Sequence, residues 1–211
     1  MKIAVMQPYF FPYVGYFELI KSVDTFVFLT DVQFTRKGWI NRNRIRSTEK
    51  DFEPIVVPVI KCHLETKIED VFICGTQWSE MIEKKLQHTY LKSNHHAIVK
   101  YVSTLNKHKM LNDMLCESIM WTCKLLGINT KFAYSHGISD KKNKQKILEI
   151  CKSFNCHTYV NAYGGSELYS TSEFSEAGIE LTFMQSTQYN NKLSIIDSIL
   201  TDEERLKQWL Q

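Results

Sequence analysis

The sequence lacks any apolar stretch long enough for a secretory signal or a membrane span. Its first apolar run ends within a few residues at Gln7 and Pro8, whereas a signal peptide carries roughly 7–15 apolar residues in a row. No window approaches the roughly 18–20 apolar residues of a membrane helix. We therefore expect a soluble, cytoplasmic protein with no membrane insertion.

Paired cysteines with metal-ligand spacing are also missing. The 6 cysteines are scattered through apolar patterns, and no CxxC occurs. Without a secretory signal they are expected to be reduced thiols that pack as small apolar residues. Cys151 and Cys156 with His157, or Cys62 with His63, lack the paired spacing of a zinc site, so no metal is predicted.

Familiar catalytic signatures are absent as well: there is no GxSxG, no Walker loop and no GxGxxG. His136 and the pair His95 and His96 are weak candidates for a base, because a lone histidine is more often structural or exposed. With 44% hydrophobic and 23% charged residues among 211, the chain is an ordinary globular sequence that can bury a substantial core.

The apolar patterns that are present predict an α/β fold. Apolar runs at 2–6 and 26–29 flank a helical pattern at 17–23, which gives a strand–helix–strand unit with parallel pairing. The pattern predicts an extended segment at 53–60, strands at 131–134, 158–161 and 179–184, and helices at 142–154, 194–200 and 203–210. This order predicts a parallel, Rossmann-like sheet.

Three amphipathic helical stretches follow one another between Thr76 and Leu126. They predict an inserted helical subdomain at residues 76–126, with residues 1–75 and 127–211 forming the α/β sheet domain.

Polar residues follow the predicted strands. Gln7 ends the first strand, and Asp31 and Gln33 follow the second, at the edge where parallel sheets bind ligands. Adjacent glycines let backbone amides approach a phosphate or an oxyanion, although a glycine pair more often marks a tight turn. A later strand is followed by a second polar group that contains such a pair, namely Asn161, Gly164, Gly165 and Tyr169.

The loop after the first strand is rich in aromatic residues. Two prolines stiffen it, and it closes at Gly15. Aromatic side chains there either pack in the core or form walls that stack on a ring, and tyrosine adds a hydroxyl. Both readings stay open for its aromatic members, Tyr9, Phe10, Phe11 and Tyr13.

Residues 36–50 hold six basic residues against one acidic residue. Planar guanidinium donors interleaved with amides that donate and accept suit a diphosphate with sugar hydroxyls, while a solvated turn is the plainer alternative. The residues of interest in this segment are Arg36, Lys37, Trp39, Asn41, Arg42, Asn43 and Arg44.

Four segments resemble the WbqC-like family over nearly the whole chain: MQPYFFPYVGYFELI, DVQFTRKGWINRNRI, VNAYGGSELYS and LSIID. The resemblance implies a role in bacterial O-antigen, lipopolysaccharide or capsule biosynthesis, through modification of a nucleotide-activated sugar. The implied reaction is acylation of an amino sugar with glycine or a similar small acid.

A looser similarity links residues 7–20 to the loop and helix of HIGH-type nucleotidyltransferase folds, which activate carboxylates as acyl-adenylates. Gly15 matches the motif glycine, and Tyr13 and Tyr16 stand where that motif has histidines. Lys192 is the only candidate for the lysine of a KMSKS-like motif. The cofactor stays unknown, with ATP as one candidate.

The leading hypothesis is a transferase that forms an amide on a nucleotide-linked amino sugar. Asp31 is assigned as the general base, and Gln33 and Arg42 complete the catalytic set. The substrate-binding positions are Gln7, Tyr9, Tyr13, Gly15, Tyr16, Lys37, Trp39, Asn41, Asn43, Arg44, Asn161, Gly164, Gly165 and Tyr169.

A non-catalytic nucleotide-sugar-binding or scaffold protein of a polysaccharide assembly is the alternative. RNA binding through residues 36–50 is disfavoured, because the rest of the chain lacks a basic face. The sequence leaves open the sugar, the acyl donor and its carrier (ATP, CoA or tRNA), and whether the protein is a homodimer.

Overall fold

The computed structural model describes residues 1–90, 96–184 and 192–210, which form two compact units. Unit 1 comprises residues 1–7, 15–31 and 128–190, and unit 2 comprises residues 8–14, 32–127 and 191–211. His95 and residues 185–191 lie outside the described residues. A separate helical subdomain with the limits 76–126 stays a prediction.

Strands and helices alternate in unit 1, whereas helices dominate unit 2. The strands are β1 (Lys2–Met6), β2 (Thr25–Phe28), β3 (Arg42–Ile45), β4 (Glu53–Val56), β5 (Lys131–Tyr134), β6 (Thr158–Ala162) and β7 (Glu180–Met184). The helices are α1 (Val14–Lys21), α2 (Gln77–Thr89), α3 (His96–Thr104), α4 (Leu111–Leu125), α5 (Asn143–Ser153), α6 (Thr171–Glu176) and α7 (Ile195–Leu210). Among the described helices, none is both long and apolar enough to cross a bilayer.

Unit 1 is built on a five-stranded parallel sheet in the order β5-β2-β1-β6-β7. Ile3 of β1 pairs with Thr25 on one side and with Tyr159 on the other. Its central strands are apolar on both faces, as expected for a parallel sheet covered by helices. The predicted parallel, Rossmann-like α/β fold is confirmed, while its HIGH-type variant stays a prediction.

One face of this sheet packs against α5 and α6. Ile3 and Val27 of the strands share a buried cluster with Ile147 and Ile150 of α5 and Phe174 of α6. Helical spacing puts both isoleucines on the same side of α5, which turns that stripe toward the sheet. Burying each such side chain contributes about 1.5–3 kcal/mol before conformational entropy is counted.

The opposite face carries aromatic residues, because successive side chains of a strand point to alternate faces. Phe28 of β2 stacks on Phe132 of β5 with ring centroids 5.3 Å apart. Tyr16 of α1 packs against Phe26, also at 5.3 Å. The strand β2 is therefore buried on both sides.

Unit 2 combines a two-stranded antiparallel ribbon with helices. Strands β3 and β4 pair so that Arg42 lies opposite Val56 and Arg44 opposite Pro54. The three helices predicted between residues 76 and 126 are confirmed as α2, α3 and α4. Helix α7 contains non-helical backbone at Asp202, which matches the predicted break between two closing helices.

The core of unit 2 holds two of the four loop aromatics. Phe10 contacts Phe11 at 5.0 Å and Trp78 of α2 at 6.2 Å between ring centroids. Phe11 contacts Tyr101 of α3, which stacks on Trp121 of α4 at 3.9 Å. For Phe10 and Phe11, both completely buried, the core-packing reading is therefore the right one.

Candidate functional site

The carboxyl edge of the unit 1 sheet is the first candidate surface. The strand order changes direction between β1 and β6, since β2 and β5 lie on one side of β1 and β6 and β7 on the other. In open parallel sheets, ligands bind outside the strand ends at such a switch point. Gln7 follows β1 and Asn161 lies near the end of β6, so both sit at this point.

Asp31 follows β2 at the same edge and belongs to a buried ion pair. Its Oδ2 accepts a 2.6 Å hydrogen bond from Lys146 Nζ, and the two side chains are only 6% and 5% exposed. Its Oδ1 accepts a hydrogen bond from Ser135 Oγ, and that oxygen in turn accepts one from the Thr30 amide at 3.1 Å. Asp31 therefore links the ends of β2 and β5 to α5.

This environment sets the charge of Asp31. Burial alone would raise the pKa of its carboxyl group, but hydrogen bonds from Lys146 and Ser135 outweigh burial and hold the pKa below its usual value. A carboxylate with a lowered pKa is ionised at neutral pH and is a weak general base. The geometry suits an electrostatic or orienting role for Asp31 better than proton abstraction.

Lys146 is the residue of this cluster that sequence reasoning missed. It lies in the first half of α5, beside the buried residues Ile147 and Ile150, and is itself almost completely buried. A lysine on the apolar stripe of an amphipathic helix is the signal that was available, because buried lysines are rare unless they are paired. Its second bond goes to the carbonyl oxygen of Ser139.

Two predicted binding residues support the end of β1 from inside unit 1. Tyr16 is 1% exposed, and its hydroxyl donates a 2.9 Å hydrogen bond to the carbonyl oxygen of Gln7. Gly15 is buried in the first turn of α1. Tyr16 therefore positions the strand end, and its hydroxyl points at protein backbone.

The glycine pair after β6 lies in a 3-10 helix that spans Tyr163–Leu168. A Cβ atom added to Gly165 would lie 2.5 Å from Asn161 Nδ2, whereas nothing lies within 4 Å of one added to Gly164. A side chain at position 165 would therefore displace that of Asn161, whose Oδ1 accepts a hydrogen bond from the Ala162 amide at 2.8 Å. Gly164 alone keeps an open approach to its backbone.

Tyr169 packs into the core of unit 1. Its ring lies 6.0 Å from that of Tyr159 and 5.9 Å from that of Phe174. Burial raises the pKa of the Tyr169 hydroxyl. The structure therefore places Tyr169 behind the glycine segment, against the helix α6.

In unit 2, the aromatic loop is fastened to the polar ribbon. The Asn43 side chain donates hydrogen bonds to the carbonyl oxygens of Phe10 at 3.0 Å and Phe11 at 2.7 Å. The Phe10 amide donates to the Ile40 carbonyl at 3.0 Å, and Ser194 Oγ donates to the Phe11 carbonyl at 2.8 Å. The two segments predicted to form a site are therefore neighbours within one unit.

Phe11 holds a strained backbone in this loop, with φ at 42°. A positive φ is unfavourable for a bulky side chain and costs on the order of 1–3 kcal/mol. The bonds from Asn43 and Ser194 to its carbonyl group hold the conformation in place. Such over-determined strain is typical of loops whose shape matters for function.

The two loop tyrosines reach the surface. Tyr13 is 38% exposed and Tyr9 is half-buried. Burial first, and the electrostatic interaction with Tyr13 second, raise the pKa of the Tyr9 hydroxyl. They can line a ligand, and their role in substrate binding stays a prediction.

Several predicted polar groups are bonded to protein backbone. Arg42 donates to the Arg36 carbonyl at 3.0 Å, and Arg36 itself donates to the Cys62 carbonyl. Gln33 donates to the Leu64 carbonyl at 2.7 Å. These bonds shape the segment, while Lys37 is exposed and makes no such bond within the described residues.

Asn41 is buried beside β4. Its Nδ2 donates to the Val57 carbonyl at 2.8 Å, and the side chain is 4% exposed. Within the described part of the chain, its Oδ1 has no hydrogen-bond partner. Asn41 and Asn43 therefore serve mainly to hold the ribbon and the loop.

Arg44 contacts two exposed aromatic rings. Its guanidinium carbon is 5.5 Å from the centroid of the Trp39 ring and 5.1 Å from that of Phe52. The two rings are 51% and 42% exposed. Sequence reasoning selected Trp39 and Arg44 but missed Phe52, which lies beyond the segment that charge and amides marked.

A second charged cluster was also missed. Asp197, completely buried in the first turn of α7, accepts two hydrogen bonds from the Arg46 guanidinium at 2.8 and 3.1 Å and one from the Tyr90 hydroxyl at 2.5 Å. The acidic residue in the resemblance segment LSIID was the available signal. This cluster joins β3, α2 and α7 within unit 2.

The side chains that most often bind metals do not cluster in the described residues. No group of three or more His, Cys, Asp or Glu side chains could hold a metal ion among them. All six cysteines are free thiols.

A parallel α/β sheet with polar groups at its switch point, and a basic, aromatic ribbon beside it in sequence, define a protein of the Rossmann-like class. The chain belongs to the WbqC-like protein family, which it matches over residues 7–207. It is also 30% identical over 200 residues to "Uncharacterized protein Rv1507c" of Mycobacterium tuberculosis (strain ATCC 25618 / H37Rv), covering 90% of this chain and 84% of the relative. No solved structure matches the chain at a significant level.

Proposed function

We propose that the protein is a transferase that forms an amide on a nucleotide-linked amino sugar, with glycine or a similar small acid as the acyl group. The observation that carries the proposal is the switch point of the parallel sheet, which has Gln7 and Asn161 at its edge. Sheets of this topology bind nucleotides at the switch point. Binding there uses the ends of the strands and the close approach of backbone amides to the phosphates.

The acyl transfer gives each group a role. As the amine nitrogen bonds to the acyl carbon, the bond from that carbon to its carrier breaks and the carrier leaves, while the amine proton passes to solvent. Asp31 and Lys146 form an ion pair at the sheet edge. Asp31 orients Lys146, since its lowered pKa disfavours proton uptake. The open backbone at Gly164 offers an amide to an oxyanion or a phosphate. Gln33 and Arg42 remain in the proposed set of functional residues, and they shape the segment to which they belong.

A non-catalytic nucleotide-sugar-binding protein is the second candidate. It is favoured by the same low pKa of Asp31, because a residue locked in an ion pair is a poor base. It is also favoured by the exposed ring of Trp39, which can bind a ligand without any reaction. This candidate predicts ligand binding and no turnover.

Mass spectrometry separates the two candidates. The protein is incubated with uridine- and thymidine-diphosphate amino sugars, glycine, ATP and acyl-thioesters, and the sugar nucleotide is searched for an added acyl group. We expect a product that is lost in Asp31→Asn and kept in Asp140→Asn, an exposed carboxylate without a role in the site. If a thermal shift shows binding but no product forms, the second candidate is supported. If neither binding nor product is found, both candidates are rejected.

A further inference from the structure

We propose that Arg44, in cation–π contact with Trp39 and Phe52, is the binding site for a pyrophosphate group, as found in a nucleoside diphosphate. The inference names the ligand group and rests on the proposed function for its biological meaning. The three residues all lie in unit 2.

The two rings hold the guanidinium group of Arg44 by cation–π contacts. The guanidinium carbon lies 5.5 and 5.1 Å from the two ring centroids, within the range of cation–π attraction. Stacked guanidinium groups lose solvent from their faces but keep their N–H edge available. Both rings are exposed to a large degree, so core packing does not account for their positions.

The backbone of Arg44 is fixed as well. Its amide donates to Asn43 Oδ1 at 2.9 Å, and its carbonyl oxygen accepts from the Ser194 amide at 2.8 Å. Pairing of β3 with β4 sets its register opposite Pro54. A ligand that binds here therefore meets a largely preorganised group, which reduces the entropy lost on binding.

The edge of the guanidinium has donors to spare. Its Nε makes one long bond of 3.5 Å to the Lys192 carbonyl. Within the described residues, the terminal nitrogens of Arg44 have no hydrogen-bond partner and no carboxylate pairs with them. A planar fork with free donors matches the oxygens of a phosphate in a bidentate geometry.

Two neighbouring charged residues have ion-pair partners within the protein, as expected for a structural role. Arg46, two residues further along, places its guanidinium in a two-bond contact with the buried Asp197. The nearby acidic residue Glu53 forms an ion pair with Lys85, with 2.5 Å between the charged atoms. Arg44 thus stands apart as the stacked cation that is not neutralised by the described residues around it.

Isothermal titration with inorganic pyrophosphate tests the site on the full-length chain. We expect Arg44→Gln to weaken binding roughly tenfold to hundredfold, since it removes charge-assisted hydrogen bonds. Arg44→Lys keeps the charge but loses the fork and the stacking, so a loss of similar size is expected. Lys61→Gln, an exposed cation elsewhere in unit 2, is the control and should bind as the wild type does.

The rings are tested by the double variant Trp39→Leu, Phe52→Leu. We expect weaker pyrophosphate binding with an unchanged thermal midpoint, because the exposed rings contribute to ligand binding and little to the fold. The inference is overturned if wild-type protein does not bind pyrophosphate, if Arg44→Gln binds it normally, or if Arg44→Lys binds as well as arginine.

Failure of this inference and failure of the proposed function give different results. If pyrophosphate and uridine diphosphate bind through Arg44 but no acylated product forms, the binding site is supported and the transferase is rejected. If product forms and the KM for the sugar nucleotide is unchanged in Arg44→Gln, the transferase is supported and the binding site is rejected.

Discussion

At the scale of single residues, Asn43 connects its strand to Phe10 and Phe11, which lie 33 and 32 positions away in the chain. Its amide nitrogen donates to Phe10 and Phe11, and its Oδ1 accepts from the Arg44 amide. The side chain is 7% exposed, so water cannot replace these bonds easily. One buried amide therefore holds both the strained loop and the strand that carries Arg44.

We expect Asn43→Ala to lower the free energy of unfolding by about 1–3 kcal/mol, because buried carbonyl groups lose their donor. Urea denaturation followed by circular dichroism measures the change. Asn129→Ala, at an exposed position, is the control and should stay within about 0.5 kcal/mol of the wild type. Equal stability of the two variants would show that the clamp is unimportant.

Asp197 gives a prediction about acid stability. Burial would raise the pKa of its carboxyl group, but bonds from Arg46 and Tyr90 outweigh burial and lower the pKa. A lowered folded-state pKa means that the unfolded chain takes up the proton first, so this contribution is present above the unfolded pKa, about 3.9. It is lost as the pH falls from there through the lower folded-state pKa.

Thermal melting between about pH 7 and pH 2 measures this contribution. We expect the thermal midpoint of Asp197→Asn to fall less steeply with decreasing pH than that of the wild type. The remaining dependence on pH includes the contribution of Asp31. An unchanged acid slope in the variant would contradict the ion pair with Arg46.

Residue identity in the candidate site could be predicted only in part. Arg44 and Trp39 are visible because charge and aromatic residues concentrate in one short segment. The partner Phe52 and the pairing of Asp31 with Lys146 depend on contacts between distant positions. Such contacts leave no local pattern, apart from a lysine on an apolar helical face.

At the scale of elements, the pair of Asp31 and Lys146 joins the end of β2 to α5. Removing one partner leaves a nearly buried charge alone, which costs about 3–5 kcal/mol, whereas removing both replaces the pair with neutral groups. The contribution of the pair to stability can therefore be measured apart from any assay of activity.

We expect Asp31→Asn and Lys146→Met each to destabilise the fold, and the double variant to recover part of the loss. A double-mutant cycle from urea denaturation should give a coupling of about 1 kcal/mol or more. Additive single effects would mean that the two charges do not interact in solution.

The strand β3 shows where element prediction fails. Its sequence, Arg-Asn-Arg-Ile, has no apolar alternation, because the inward positions are occupied by Asn43 and Ile45. A buried asparagine that bonds to another loop replaces an apolar residue in the usual period of two. The apolar strands β1 and β2 could be predicted because burial on both faces demands continuous apolar runs.

At the scale of the whole molecule, the parallel sheet followed from the order of strand and helix patterns. The division into two compact units did not, since residues 8–14 join unit 2 while their flanking segments belong to unit 1. That placement depends on the hydrogen bonds of Asn43 and Ser194, which are not local in sequence.

Net charge allows a further prediction for the whole chain. A net charge of +3 over 211 residues gives weak long-range attraction for polyanions. We expect no binding of single-stranded RNA at physiological salt in a mobility-shift assay. Tight binding that falls steeply with added salt would instead assign the basic segment to nucleic acid.

The central claim is that the described polar surfaces bind a nucleotide-linked sugar. Hydrogen–deuterium exchange with mass spectrometry, with and without a uridine-diphosphate amino sugar, tests it most directly. We predict slower exchange in the unit 1 peptides that cover the switch point, namely the end of β1 and the segment after β6. Identical exchange in all of these peptides at saturating ligand would contradict the account.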